Sequence, residues 1–253
     1  MFGFTAKTVL VTGAGGGSGE AIAKTFLAHG AYVIAADLYA PRWECASEER
    51  LQRTAMDVTD ENAVDRVVSD ARREGHVVNI LVNNAGVSVG GPVGSMSTQA
   101  WFKNINTNVT GAFFCIRAAV TPMMEAREGR IINIGSIAGK NGFPNLCAYG
   151  ASKAALIGMT RSLAVELGPY NITVNTVCPG TVDTPMIQKL IRSISENTGK
   201  SYDEIKRGME SEIPMGRLQQ AQDVADMVIF LASDMAKNIN GESINIDGGT
   251  VRD

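Results

Sequence analysis

Residues 8–19 decide the fold and read Thr8-Val9-Leu10-Val11-Thr12-Gly13-Ala14-Gly15-Gly16-Gly17-Ser18-Gly19. The apolar first part predicts a buried strand, and the helical pattern that begins after the last glycine predicts a helix. Glycine is favoured between them because a tight strand-to-helix turn uses backbone angles that a Cβ disfavours. Such a turn also lets backbone N–H groups at the helix N-terminus approach a phosphate closely. The stretch therefore predicts a strand–loop–helix unit with a phosphate-binding turn.

Short β-rich runs alternate with longer helical patterns along the rest of the chain. Several runs are almost continuously apolar, which is typical of strands buried on both faces of a parallel sheet. The alternation predicts an α/β fold, with a doubly wound parallel sheet of about seven strands and helices on both faces. The predicted strands are Thr8–Val11, Tyr32–Ala36, Thr54–Asp57, Ile80–Val82, Arg130–Ile134, Thr173–Val177 and Ser243–Ile246.

No linker-like stretch, low-complexity segment or repeat divides the 253 residues, so we expect residues 1–253 to form one domain. One excursion breaks the alternation, from about Thr181 to Gly216, with a polar stretch at Ile187–Glu212 that contains no predicted strand. Long excursions between core strands often carry substrate specificity or a lid.

Composition excludes several classes of function. The formal net charge is −3 and no basic run occurs, which argues against nucleic acid or an anionic membrane as a partner. No apolar run reaches the about 18 residues that a membrane span needs. The four cysteines form no CxxC pair and have no metal-ligand spacing with the two histidines, so no metal is expected. The absence of a signal pattern predicts a cytoplasmic protein.

Asp37 ends the second predicted strand, directly after the glycine-rich unit. A carboxylate at this position accepts hydrogen bonds from the ribose hydroxyls of NAD and repels the 2′-phosphate of NADP. The following residues, Leu38-Tyr39-Ala40, offer no cation. The pattern predicts NAD as the cofactor; the alternative is that Asp37 only caps a turn.

Tyr149 and Lys153 are four residues apart in a predicted helix, and this spacing places them on one helical face. A free tyrosine titrates near pH 10, and a neighbouring ammonium favours the phenolate. Ser136 follows a predicted strand, where α/β sheets place ligands. These three residues predict a site for proton exchange with a substrate oxygen.

The chain resembles the short-chain dehydrogenase/reductase superfamily, with its Rossmann-type fold, over essentially its whole length. The resemblance rests on ordered motifs at Thr12-Gly13-x-x-x-Gly17-x-Gly19, Asp57-Val58, Asn83-Asn84-Ala85-Gly86, Asn108, Ser136, Tyr149-x-x-x-Lys153, Pro179-Gly180 and Asp247-Gly248-Gly249.

The resemblance implies a role for each of four catalytic residues. Tyr149 would be the general acid/base, and Lys153 would lower its pKa and bind the nicotinamide ribose. Ser136 would polarise the substrate oxygen. Asn108 would interrupt a helix and hold a water that links Lys153 to solvent.

The resemblance also implies a set of cofactor contacts. Besides Tyr149 and Lys153, they are Gly13, Gly16, Gly17, Ser18, Gly19, Asp37, Leu38, Asp57, Val58, Asn84, Ala85, Gly86, Pro179, Gly180, Val182 and Thr184. Ser18 departs from the family, which usually has a large aliphatic residue there. We expect the change to alter affinity modestly because the backbone donors remain.

These observations predict an NAD(H)-dependent oxidoreductase acting on a secondary alcohol or ketone, with a small polyol, sugar or diol as substrate. The alternatives are a reductase of the 3-oxoacyl-acyl-carrier-protein type and a non-catalytic dinucleotide sensor. The resemblance implies a homotetramer or homodimer, with residues Asn104–Glu125 and Ala148–Gly168 packing between subunits. Candidate substrate-wall residues are Ser88, Val89, Lys140, Asn141, Phe143 and Met186.

Overall fold

A parallel sheet of seven strands forms the centre of the computed structural model, which describes residues 3–252. The strand order is β3-β2-β1-β4-β5-β6-β7, and every neighbouring pair is parallel. The order reverses between β1 and β4, which is the point where open α/β sheets bind ligands. The strands are β1 (Thr8–Thr12), β2 (Tyr32–Asp37), β3 (Leu51–Ala55), β4 (Val78–Asn83), β5 (Gly129–Ile134), β6 (Ile172–Pro179) and β7 (Ser243–Ile246).

Helices cover both faces of this sheet, as the continuous apolar strands require. One core packs α1 and α8 on one face, and a second packs α2, α4 and α5 on the other. No helix within residues 3–252 is both long and apolar enough to cross a membrane. The helices are α1 (Gly17–Ala28), α2 (Glu61–Arg73), α3 (Thr98–Ile105), α4 (Gly111–Ala126), α5 (Cys147–Leu167), α6 (Pro185–Thr198), α7 (Tyr202–Ser211) and α8 (Ala221–Ala232).

The predicted fold class is confirmed, and one strand lies elsewhere than predicted. The third strand was expected at Thr54–Asp57 and lies at Leu51–Ala55. Its register with β2 runs from Val33↔Leu51 to Asp37↔Ala55, so the chain has left the sheet before Asp57. Polar residues in this edge strand hide its start, because an edge strand needs no continuous apolar run.

Two irregular regions bear on the site. A π-helical turn, Asn106–Thr110, separates α3 from α4. The predicted excursion contains α6 and α7, and only one residue of the two helices is buried, Ile191 on α6. An isolated β-bridge between Val182 and Gln219 joins the two ends of this excursion.

Candidate active site

Close packing explains two of the glycines in the loop between β1 and α1. Gly13 has a φ of +65°, and a Cβ on it would lie 2.8 Å from Ala85 Cα. A Cβ on Gly19 would collide with the carbonyl oxygen of Gly13. Gly16 differs, since its φ of 177° is extended and a Cβ there would meet open space. The loop therefore requires glycine where it touches its own backbone and β4, and not at Gly16.

The N-terminus of α1 has no side-chain cap, because its N-cap residue is Gly16. By contrast, the Asp60 side chain caps α2 by accepting from Ala63 N at 3.2 Å. The first-turn N–H groups of an α-helix have no partner within the helix. Those of α1, which include Ser18, are therefore available to an external acceptor. An uncapped helix N-terminus behind a glycine loop fits the diphosphate of a dinucleotide.

Asp37 lies at the end of β2, where it holds the glycine loop in place. Its carboxylate accepts hydrogen bonds from Gly15 N at 2.8 Å and from Leu38 N at 2.7 Å. The Trp43 indole, in the loop after β2, donates to Ala14 O in the glycine loop at 2.7 Å and so joins the two loops. Sequence analysis did not identify Trp43; its only signal was a large aromatic residue within a polar loop.

Asn84 connects the end of β4 to the glycine loop. Its amide nitrogen donates to Thr12 O at 3.0 Å and to Gly13 O at 2.9 Å. Thr12 Oγ1 in turn accepts from the backbone nitrogen of Ala85 at 3.0 Å. The Asn84 amide N–H groups and the backbone N–H groups of Asn84 and Ala85 are thus used within the protein, so the Asn84 side-chain oxygen remains for a ligand.

Asp57 and Val58 lie in the loop after β3, and their side chains make different contacts. The Asp57 carboxylate accepts from Thr59 N and Thr59 Oγ1, both at 2.8 Å, which fixes the loop. Val58 is buried against the start of α4, where a Cβ on Gly111 would lie 2.7 Å from it.

Ser136, Tyr149 and Lys153 come together at the carboxyl edge of β5. Ser136 is buried at the start of a 3₁₀ turn, Ile137–Gly139, where its hydroxyl accepts from Ala138 N at 3.1 Å and lies within reach of the Tyr149 phenol. Lys153 Nζ lies 5.7 Å from the centre of the Tyr149 ring. It donates to Ile134 O at 2.7 Å, which places the ammonium beneath the phenol. The predicted juxtaposition of these three residues is therefore present.

The electrostatics of this group differ from one expectation. Burial lowers the pKa of Lys153 to about 8. Burial raises the pKa of Tyr149, and the hydrogen bond from Ser136 offsets only part of that effect. We expected Lys153 to lower the pKa of the tyrosine. Among the protein's own groups, desolvation of the phenolate dominates instead.

Asn108 occupies the π-helical turn and connects the loop after β4 to α5. It accepts from Val87 N at 2.8 Å and donates to Val87 O and to Ser152 Oγ, both at 2.9 Å. Ser152, which sequence analysis did not identify, donates to Tyr149 O at 2.7 Å. A Cβ on Gly86 would lie 3.2 Å from Asn108 Oδ1 and 3.5 Å from Lys153 Nζ. Gly86 thus lies between these two side chains, and the implied interruption of the helix at Asn108 is present.

The loop after β6 closes the opposite wall. Pro179 ends β6, and Gly180 donates to Ile246 O at 3.0 Å. Val182 is buried and pairs with Gln219. Thr184 begins α6, and a Cβ on Gly17 would lie 3.2 Å from its methyl group. Of the predicted residues of this wall, Thr184 therefore borders the glycine loop.

The candidate substrate-wall residues fall into two groups. Phe143 and Met186 expose apolar side chains, and Ser88 and Asn141 are exposed polar residues. The other two are engaged in internal bonds. Lys140 Nζ donates to Ser243 O at 2.6 Å, and the backbone nitrogen and oxygen of Val89 bond the Asn104 side chain.

The comparisons with known proteins agree with this geometry. Residues 13–251 match a family model described as enoyl-(acyl carrier protein) reductase. The chain is 38% identical to trans-4-hydroxycyclohexanecarboxylate dehydrogenase of Sinomonas cyclohexanicum, over 96% of this chain and 92% of that protein. It is also 38% identical to the 3-oxoacyl-acyl-carrier-protein reductase FabG of Escherichia coli strain K12, over 97% and 98%.

Solved structures give the same result. The ligand-free aldohexose dehydrogenase of Thermoplasma acidophilum superposes with a TM-score of 0.91 at 33% identity, covering 99% of this chain and 96% of that one. ElxO with NADP bound superposes with a TM-score of 0.85 at 33% identity, covering 96% and 98%.

These findings define a short-chain oxidoreductase that acts on alcohol and ketone groups. The chain belongs to the short-chain dehydrogenase/reductase family. The fold of this family binds a nicotinamide dinucleotide, and the uncapped start of α1 together with the tight glycine loop fits one here.

Proposed function

We propose that this protein is an NAD(H)-dependent dehydrogenase that interconverts a secondary alcohol and its ketone. The observation that carries the proposal is the contact group of Ser136, Tyr149 and Lys153 at the end of β5. The group lies at the sheet edge that also carries the uncapped N-terminus of α1, so a hydride carrier and a proton carrier can act on one substrate carbon and oxygen.

Each polar side chain of the group has a defined task in the proposal. The Tyr149 phenolate accepts the proton of the alcohol during oxidation, and the Tyr149 hydroxyl donates a proton to the carbonyl oxygen during reduction. The Ser136 hydroxyl holds the substrate oxygen beside that phenol. Lys153 places a positive charge beneath the phenol, and Asn108 anchors the loop next to Lys153 through Val87. The nicotinamide dinucleotide supplies or accepts the hydride when bound.

NAD is the proposed cofactor because of Asp37. Its carboxylate is held at the end of β2 by two backbone N–H groups, and a 2′-phosphate there would meet a negative charge. Two arginines near this strand are engaged elsewhere. Arg50 donates to Leu27 O and Arg53 donates to Trp43 O, both at 2.8 Å. These bonds support NAD over NADP, although ElxO, a relative by structure, carries NADP.

For the substrate we propose a small hydroxylated molecule, a polyol, sugar or diol. Polar Ser88 and Asn141 at the candidate wall support it, and so does the likeness to a dehydrogenase of aldohexoses. We propose further that the excursion with α6 and α7 covers the substrate, because its ends meet at the Val182–Gln219 bridge. A reductase of the 3-oxoacyl-acyl-carrier-protein type is the second candidate, favoured by the 38% identity to FabG.

A rate assay separates these candidates. Purified protein is given NAD⁺ or NADP⁺ with a panel of polyols, sugars, cyclic secondary alcohols and hydroxy acids, and absorbance of the reduced nicotinamide is followed. The reverse reaction uses acetoacetyl thioesters with NADH or NADPH. We expect oxidation of a hydroxylated substrate with NAD⁺ preferred. Preferred reduction of the thioester with NADPH would support the second candidate, and binding of dinucleotide without turnover of any substrate would contradict both.

The proposed assembly is a homotetramer or homodimer in which α4 and α5 pack between subunits. Phe113 on α4 and Val165 on α5 support it, since their apolar side chains are 43% and 80% exposed. Light scattering tests the mass, and a monomer at micromolar concentration would contradict the assembly.

A further inference from the structure

Four buried polar side chains form one continuous chain of hydrogen bonds beneath the candidate active site. Asn83 on β4 donates to Asn133 Oδ1 on β5 at 2.9 Å, and Asn133 donates to Thr160 Oγ1 on α5 at 2.8 Å. Thr160 and Thr176 on β6 share a hydroxyl hydrogen bond of 2.7 Å. We call these four residues the polar chain; each is at most 4% exposed.

A gain in folding stability does not explain why the polar chain is buried. Polar groups buried in a core lose their hydration, and a hydrogen bond between them returns little more than that loss. Apolar residues of similar shape would pack in these positions without the loss. What a hydrogen-bonded buried network adds is a single defined arrangement of the elements that it joins. Here those elements are three adjacent strands and α5.

Helix geometry connects the polar chain to the proposed chemistry. Thr160 follows Lys153 by seven residues and Tyr149 by eleven, which at 3.6 residues per turn puts all three on nearly one line along α5. Two consecutive residues of β5 hold this line. Asn133 bonds Thr160 through its side chain, and Ile134 bonds Lys153 through its carbonyl oxygen. A rotation or slide of α5 would therefore break both bonds together.

We propose that Thr160, held by Asn133 and Thr176, is a positioning residue that sets the rotation of α5 and thereby the position of Lys153 beneath Tyr149. This inference rests on the proposed function. In the proposed function Thr160 contacts no reacting group. It acts only through α5, the helix that carries Tyr149 and Lys153.

The test uses three variants of the full-length protein. Thr160→Val removes the hydroxyl and keeps the shape, and Thr160→Ser keeps the hydroxyl. Thr173→Val is the matched control, because Thr173 is a buried threonine of β6 that lies outside the polar chain. For each variant, kcat and its pH profile, KM for NAD⁺, NADH affinity and the urea unfolding midpoint are measured with the best substrate of the wild type.

With Thr160→Val we expect kcat to fall about 10- to 100-fold, as a small misplacement of reacting groups does, while NADH affinity stays within about threefold. The rising limb of kcat against pH should move to higher pH, because a displaced ammonium supports the phenolate less. Thr160→Ser should restore both quantities. Thr173→Val should change only the unfolding midpoint.

Two outcomes would contradict either the positioning role of Thr160 or the proposed function, and the measurements distinguish them. If the wild type is active and Thr160→Val changes stability alone, as Thr173→Val does, the positioning role is wrong and the proposed function stands. If the wild type binds NADH and turns over no alcohol or ketone, the proposed function fails first. Should Thr160→Val not fold, Thr160→Ser and Thr176→Val carry the same comparison of kcat and pH profile.

Discussion

The two halves of the sheet's carboxyl edge contribute different kinds of chemical group to the candidate site. On the β1–β2 side the candidate ligand-binding groups are mainly backbone, namely the first-turn N–H groups of α1 and a loop in which Gly13 and Gly19 leave no space for a Cβ, with the Asp37 carboxylate as the exception. On the β5–β6 side they are side chains, with Ser136 on a 3₁₀ turn and Tyr149 and Lys153 on α5.

This difference predicts which substitutions each half of the site tolerates. A backbone site depends on the absence of side chains and on close contacts, so it accepts an unusual residue such as Ser18 and rejects a methyl group at Gly19. A side-chain site depends on the identity and ionisation of single groups. We therefore expect substitutions in one half to affect dinucleotide binding and those in the other to affect turnover.

The largest effect should come from Tyr149→Phe, which removes one hydroxyl from the side-chain half. We expect turnover to fall by about 10²- to 10⁴-fold, the usual contribution of a general acid or base. NADH affinity, followed by fluorescence titration, should remain within about threefold, because the backbone half is unchanged. Turnover near that of the wild type would remove Tyr149 from the chemistry, and loss of NADH binding would show that the two halves are not separable.

The next effect compares two glycines of the backbone half. Gly19→Ala places a methyl group against Gly13 O, and we expect the unfolding free energy to fall by about 1–3 kcal/mol, with weaker NADH binding. Gly16→Ala is the matched control, since a methyl group there meets open space and its φ is extended. Calorimetry and NADH titration measure both. Equal responses of the two variants would contradict the packing argument.

Much of the division of the site into a backbone half and a side-chain half could be predicted from the sequence. The apolar runs predicted six of seven strands at nearly their observed positions, because strands covered on both faces carry a strong pattern. The edge strand β3 escaped the pattern because its middle residues, Gln52, Arg53 and Thr54, are polar, whereas the equally half-buried edge strand β7 carries two isoleucines. The glycine loop and the Tyr149–Lys153 pair were predictable because short spacing alone fixes their geometry.

What the sequence did not predict depends on contacts between distant segments. Trp43 reaches Ala14 across 29 residues, and Asn133 reaches Thr160 across 27. No local period encodes such pairs. The raised pKa of Tyr149 was missed for the same reason, since the balance between a neighbouring ammonium and desolvation depends on how deeply the phenol is buried.

Asp37→Asn sharpens the comparison within the backbone half. The amide oxygen can still accept the hydrogen bond from Gly15 N, which ties Asp37 to the glycine loop, whereas the bond from Leu38 N is lost. The negative charge proposed to oppose a 2′-phosphate is lost as well. We expect the ratio of kcat/KM for NAD⁺ to that for NADP⁺ to fall about 10-fold or more, as loss of a charged hydrogen bond predicts. Asp57→Asn, in the loop after β3, is the control. An unchanged ratio in Asp37→Asn would assign the preference to other residues.

A last effect is a pH dependence of stability that belongs to the side-chain half. Burial lowers the pKa of Lys153 to about 8, whereas a lysine in the unfolded chain titrates near its ordinary pKa of 10.5. Between these values the unfolded chain binds a proton that the folded protein has released, so raising the pH stabilises the folded protein. This contribution is absent below pH 8, where both states are charged, and Lys153→Met removes it.

We therefore expect the unfolding free energy of the wild type to rise relative to Lys153→Met from pH 8 to pH 10, by up to about 1.4 kcal/mol per pH unit. Urea unfolding at pH 7, 8, 9 and 10 measures the difference. Lys24→Met is the control, because the Lys24 side chain is 42% exposed and pairs with Glu20 at the surface. Parallel profiles of the wild type and Lys153→Met would mean that Lys153 keeps its proton through this range. The ammonium would then remain a fixed positive charge beneath Tyr149, and the side-chain half would resemble the backbone half in having no ionisation of its own near neutral pH.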